Sequence, residues 1–201
     1  NMKILVLTSA RFGTASHHLS YLCGNKNCEI AMVILNEGST VSKGKRLIRV
    51  IKKTWMIGLI GAINGIRMRK WYTKDVHESM PFGDIEEICR VNKIPFFVTP
   101  AINSEITRDL FAKAQADLGI SLGNAYIGKR VFSIPKFGMI NIHHEMLPEY
   151  LNAQSVIWQI YNKSPMTGYT IHKIDRHIDT GAILLKKEVP IIFKSSQIGR
   201  A

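Results

Sequence analysis

The stretch Gly138-Met139-Ile140-Asn141-Ile142-His143 is a short apolar run that opens on glycine and closes on polar side chains. Its length and isoleucine content mark a buried strand, and polar residues at a strand terminus are where an α/β fold commonly places chemistry. Working outward, Asp117-Leu118-Gly119-Ile120-Ser121-Leu122 has the same character, preceded by a helical pattern near 104–114 and a short strand, Pro95-Phe96-Phe97-Val98. Further back come a helix near 84–92, the strand Glu29-Ile30-Ala31-Met32-Val33-Ile34, a helix near 16–23 and the opening strand Ile4-Leu5-Val6-Leu7. Such β-α-β alternation predicts a Rossmann-like, doubly wound, mostly parallel sheet with flanking helices, its ligands held beyond the carboxyl ends of the strands. Beyond residue 143 the pattern turns to two strands, 167–172 and 182–190.

Composition sets the outer limits. The chain has 201 residues, 46% of them hydrophobic and 21% charged, enough for one catalytic domain with a real core and too apolar for a disordered chain. Lys and Arg number 27 against 15 Asp and Glu, a net charge of +12 that invites an anionic partner. Three cysteines without a C-x-x-C pair indicate neither a disulfide framework nor a cysteine metal site, which fits a reducing cytoplasm. The apolar run from Met2 reaches polar residues too soon for a secretory signal, and Asn1 reads as an addition before a natural start. Further natural sequence after Gly199-Arg200-Ala201 is an open expectation.

Most of the charge sits in one insertion, at about residues 41–74. It holds ten basic residues and no acidic one, leaving the rest of the chain at +2. Leu47, Ile48, Ile51 and Trp55 recur at helical spacing, predicting one or two basic amphipathic helices. Three roles fit that pattern: a solvated element whose apolar side packs on the domain or on a homodimer mate, a contact with an anionic membrane surface, or a tRNA-binding element. Within the insertion, the longest stretch without formal charge, residues 54–66, spans 13 residues against the ~20 a bilayer crossing needs, so the location expected is cytoplasmic or peripheral to a membrane.

The chemistry concentrates in Asn141-Ile142-His143-His144-Glu145-Met146-Leu147-Pro148-Glu149-Tyr150 and Ile174-Asp175-Arg176-His177-Ile178-Asp179-Thr180-Gly181. On a strand, Asn141 and His143 share one face and can address the same substrate atom. Asp179 follows 36 residues beyond His143, and a carboxylate returning to an imidazole holds its ring and favours its charged form. An amide donor, an imidazole and a carboxylate are what acyl transfer without a covalent enzyme intermediate requires. His144, His172, His177 and Asp175 lack the tight spacing of a metal motif, so no metal is expected.

At these residues the sequence resembles the formyltransferases that use 10-formyltetrahydrofolate. Their pattern, Asn-x-His-x-Ser-x-Leu-Pro-x-Tyr, then a tryptophan-bearing helix, Thr-Gly-x-Thr-x-His and Asp-Thr-Gly, is matched by Asn141-Ile142-His143, Leu147-Pro148-Glu149-Tyr150, Trp158, Thr167-Gly168-Tyr169-Thr170-Ile171-His172 and Asp179-Thr180-Gly181. Several spaced blocks in order are far more specific than one motif. The resemblance implies catalytic roles for Asn141 and His143 at the formyl oxygen. His143 would also supply a proton to the departing folate nitrogen, and Asp179 would orient His143 and receive the proton lost by the amine. It also implies a folate pocket around Leu122, Gly123, Asn124, Tyr126 and Ile127, with Asp175 on its other side. Trp158 and Tyr161 read as packing residues, and His144 as packing or gatekeeping.

By the same resemblance the acceptor is a small-molecule primary amine, phosphorylated or nucleotide-linked, with an amino sugar nucleotide first. Glycinamide ribonucleotide of purine synthesis is second, and methionyl-tRNA, whose enzymes carry a further carboxy-terminal domain, third; a tRNA partner is therefore not expected. The chain departs from the family at Leu151-Asn152, where Arg-Gly is usual, and at Ser155, where proline is usual, so the acceptor side of the pocket differs. The turn Thr8–Ser16 lacks the tighter glycine pattern of the purine enzymes, although Ser16 at a helix start could take a phosphate. A module of a different class, binding folate or a membrane without catalysis, is disfavoured by the intact Asn141, His143 and Asp179.

Overall fold

Seven strands lie side by side in one sheet, in the order β3-β2-β1-β4-β5-β6-β7. The computed structural model describes residues 1–38, 43–79, 83–150, 159 and 162–191. The elements in chain order are β1 (Met2–Thr8), α1 (Thr14–Cys23), β2 (Cys28–Asn36), α2 (Lys43–Ser79), α3 (Ile85–Val91), β3 (Phe96–Thr99), α4 (Glu105–Ala114), β4 (Leu118–Leu122), α5 (Lys129–Phe132), β5 (Met139–His143), β6 (Met166–Lys173) and β7 (Ile183–Pro190). Strands β1 to β5 run parallel, and β6 and β7 return antiparallel. The predicted doubly wound, mostly parallel sheet is therefore the observed one. Leu151, Asn152, Ser155, Trp158 and Tyr161, singled out from the sequence, lie outside the described residues, as do residues 41 and 42 of the insertion.

The strand pattern of period two splits the core into two layers. Leu5, Leu7, Met32 and Ile34 pack with Phe111 and Met139 on one face, while Ile4, Val6 and Val33 pack with Leu19, Ile85 and Ile120 on the other. Residues facing both ways are buried along β1, which is why that strand reads as a continuous apolar run. Phe111 is among the largest fully buried side chains. Phe111→Ala is expected to cost about 3–5 kcal/mol, measured by urea unfolding with an unchanged m-value.

Two helix starts follow their sequence signals. Asp84 accepts a hydrogen bond from Glu86 N at 2.9 Å at the start of α3, and Ser104 accepts one from Thr107 N at 3.2 Å at the start of α4. Helix α2 occupies the basic insertion and runs for 37 residues, broken only at Gly58, whose φ of 72° lies in the left-handed region. The sequence pattern admitted either one helix or two, and the break at Gly58 falls between those descriptions. Because β2 ends at Asn36 and α3 begins at Ile85 before running back toward β3, both roots of the insertion stand at the carboxyl edge of the sheet.

Candidate active site

Strand β5 carries Asn141 and His143 on one face, as their spacing of two predicts, and its carboxyl end opens into a cavity of about 450 Å³. Antiparallel β6 sets Asn141 directly opposite His172 and His143 opposite Thr170. The turn between β6 and β7 then brings Asp179 over the two imidazoles, with Oδ2 at 3.9 Å from His143 Nδ1 and Oδ1 at 3.7 Å from His172 Nε2. Asn141, His143 and Asp179, separated by up to 38 residues of sequence, thus line a single cavity.

Hydrogen-bond partners assign the protons. His172 Nδ1 lies 2.9 Å from the carbonyl of Lys173 and must donate to it, so His172 Nε2 accepts from the Asn141 amide nitrogen at 3.3 Å. That bond uses one of the two amide hydrogens of Asn141 and fixes the amide's orientation, leaving the second hydrogen for a ligand oxygen. On His143, Nε2 donates to the carbonyl of Tyr150 at 2.9 Å, with Glu145 Oε2 at 3.1 Å from the same nitrogen. Glu145 is buried, and its nearness to His143 is a feature that sequence reasoning missed. It stands two residues past the strand end, where alternation no longer predicts direction; its place in the Asn141–Tyr150 block was the one available signal.

Beside this group, His144 stacks on His18 of α1, ring centroids 5.8 Å apart and nearly parallel. Burial pushes both imidazoles below the ordinary 6.5; Glu145 opposes this at His144, and the neighbouring imidazoles reinforce it at both. Below 6.5 the unfolded chain therefore binds more protons at these residues than the folded one, and stability falls as pH drops through that value toward the lowered folded values. His144→Gln is expected to flatten this dependence, read as a smaller loss of unfolding free energy between about pH 7 and about pH 5. An unchanged slope would contradict the assignment.

The predicted folate-side residues separate. Gly123, Asn124, Tyr126 and Ile127 line the cavity opposite Asp175 and Asp179. Asn124 ties that loop down, donating to the carbonyl of Leu7 at 2.7 Å and accepting from Ser9 Oγ at 2.9 Å. Tyr126 Oη reaches across to the carbonyl of Arg176 at 3.4 Å. Asp175 lines the wall, and its carboxylate also organises its own turn, accepting from His177 N at 2.9 Å and from Thr180 Oγ1 at 3.0 Å. Leu122, expected to offer its backbone, turns its side chain into the core with Val6 and Leu19, while Ser121 and Gly123 on either side of it line the cavity. Ser16, read from the sequence as a phosphate contact at a helix start, is buried, and its hydroxyl donates to the carbonyl of Gly13 at 2.7 Å.

The motif glycines have steric reasons. A Cβ at Gly168 would meet the carbonyl of Lys187 on β7, and one at Gly181 would meet the carbonyl of Lys173 on β6. Gly181 therefore lets the Asp179 turn close onto β6. Asp179 itself has φ 57°, a left-handed conformation that Asp and Asn tolerate better than other side-chain-bearing residues.

Residues 83–198 match the family model described as Formyl transferase, more than half of the chain. The chain belongs to the formyl transferase family. Within it, 108 residues are 36% identical to GDP-perosamine N-formyltransferase of Brucella melitensis, covering 53% of this chain and 41% of that protein. The methionyl-tRNA formyltransferase of Thermotoga maritima is 29% identical over 108 residues, which make up 34% of its length. The chain thus matches well under half the length of these curated relatives, so its 201 residues do not discriminate between acceptors, contrary to the expectation from length. The crystal structure of phosphoribosylglycinamide formyltransferase from Bacillus halodurans superposes with a TM-score of 0.61 over 98% of this chain and 86% of that one, at 17% identity, a likeness of fold.

Proposed function

We propose that this protein transfers a formyl group to the primary amine of a nucleotide-linked amino sugar, with 10-formyltetrahydrofolate as co-substrate. The observation that carries the proposal is the convergence of Asn141, His143 and Asp179 on one cavity at the carboxyl end of β5. A cavity of about 450 Å³ is of the size that holds a heterocycle, and its walls offer the backbone of residues 123–127 with the side chains of Ile127, Ile174 and Ile178. Those residues suit the flat, hydrogen-bonding head of a folate, which when bound supplies the activated formyl group.

Around that group each side chain has a separate task. Asn141 directs its second amide hydrogen at the acyl oxygen as negative charge gathers there, with the amide held by His172. His143 Nε2 is held by the carbonyl of Tyr150, which leaves Nδ1, the nitrogen facing Asp179, to pass a proton to the departing nitrogen. Asp179 takes up the proton released by the amine and faces both imidazoles while doing so. The GDP-perosamine relative supports the choice of acceptor.

An acceptor screen tests that choice. The full chain is incubated with 10-formyltetrahydrofolate and, separately, GDP- and UDP-linked amino sugars, glycinamide ribonucleotide and methionyl-tRNA, with tetrahydrofolate release followed by absorbance. Turnover is expected with an amino sugar nucleotide. Turnover confined to glycinamide ribonucleotide or to tRNA would overturn the acceptor while keeping the chemistry. Folate binding without turnover on any acceptor would favour a binding module.

A further inference from the structure

We propose that helix α2 docks on the surface of an anionic phospholipid bilayer. Its apolar side chains are arranged for an interface and left open among the described residues: Trp55 is 87% exposed, Ile60 77% and Leu59 70%. Leu47, Ile48, Ile51 and Trp55 share one side of the first arm, while Arg49, Lys52 and Lys53 occupy the other and are also exposed. After the break at Gly58, Leu59, Ile60, Ile63 and Ile66 form a second exposed apolar stripe, followed by the exposed cations Arg67 and Lys70. Soluble surfaces rarely leave a stripe of this size open unless it binds something.

Charge selects the occupant. Residues 41–74 hold ten cations and no carboxylate, so a second copy, carrying the same excess of positive charge, offers these cations no net counter-charge. An RNA would satisfy the cations and leave the apolar stripe in water. A bilayer carrying anionic headgroups takes both, the stripe entering the acyl boundary and the cations reaching the phosphates. Among the described residues no helix is long and apolar enough to cross a membrane, so the helix lies in the interface plane.

The attachment of α2 connects docking to the active site. Arg11, in the loop after β1, donates from Nη1 to Glu37 at 3.4 Å and from Nε to Asp84 at 3.1 Å, and its Nη2 pairs with Glu86. Its carbonyl also accepts from Ile85 N at 3.1 Å. One side chain thereby clamps both roots of the insertion at the sheet edge that carries Asn141 and His143. A docked α2 therefore brings the catalytic edge, and not the opposite one, toward the headgroups.

Sedimentation of the full chain with vesicles tests the proposal independently of formyl transfer. Binding is expected to vesicles of equal parts phosphatidylcholine and phosphatidylglycerol, not to phosphatidylcholine alone, and to weaken with salt as the Debye length shrinks. Arg49→Gln, Lys52→Gln and Lys53→Gln together are expected to lower partitioning by about 100-fold, at about fivefold per cation. These exposed side chains are outside the core and the cavity, so circular dichroism and turnover of a soluble acceptor should be unchanged. Trp55→Ser should weaken binding with the same controls intact. Equal binding to both vesicles, binding to neither, or wild-type partitioning by the triple variant would overturn the proposal. So would a dimer whose formation requires Leu47, Ile51 and Trp55.

Discussion

Asn141→Ala is expected to lower kcat for formyl transfer by about 10²–10³-fold, the usual loss when one preorganised oxyanion donor is removed. In the proposed role the amide would bind the acyl oxygen more strongly in the transition state than in the ground state, so kcat and kcat/KM should fall together while KM stays near its original value. Asn141 is only half-buried, and among the described residues its side-chain bond is to His172. The unfolding free energy should therefore change by no more than about 1 kcal/mol. A variant that keeps its rate, or one that loses its rate only because it unfolds, would remove Asn141 from the chemistry.

Asp179→Asn is expected to cost about 10²–10⁴-fold in kcat, in the range for loss of a positioned proton acceptor. Asparagine keeps the shape of the side chain and accepts the left-handed backbone at φ 57°, so the loss reports charge and basicity and not a refolded turn. The carboxylate stands 3.9 Å from His143 Nδ1 and 3.7 Å from His172 Nε2, so its neutralisation removes the negative charge facing both rings. Asp179→Ala should lose activity and stability together, because it also abandons the backbone preference at this position. Equal activity in wild type and Asp179→Asn would show that the amine loses its proton elsewhere.

The parallel half of the sheet was legible because buried strands such as Ile4-Leu5-Val6-Leu7 and Gly119-Ile120-Ser121-Leu122 leave uninterrupted apolar runs. The insertion was legible from its charge, but its continuity was not. Gly58, Gly61 and Gly65 are all weak helix formers, yet of the three Gly58 alone leaves the helical conformation. Helix α5, at four residues, is too short to leave a period.

In the active site, alternation along one strand placed Asn141 and His143 together, because that information is local. The pairing of Asn141 with His172 depends on the register of β5 against β6, which no spacing within either strand encodes. Leu122 follows the local alternation, its side chain facing the core, so at the start of that loop only backbone is left for a ligand. Glu145 and the His18–His144 stack arise from a turn and from a helix docking on the sheet, where tertiary contacts alone set direction.

The central claim is that this cavity moves a formyl group onto an amine, and the most direct measurement follows the formyl carbon. The full chain is given 10-formyltetrahydrofolate labelled at that carbon together with amino sugar nucleotides, and the products are weighed by mass spectrometry. A labelled formamide is expected on the sugar nitrogen, formed one for one with tetrahydrofolate and at a rate about 10²–10³-fold lower in Asn141→Ala. Label released only as free formate, or no labelled amide from a folded protein that binds the folate, would contradict it.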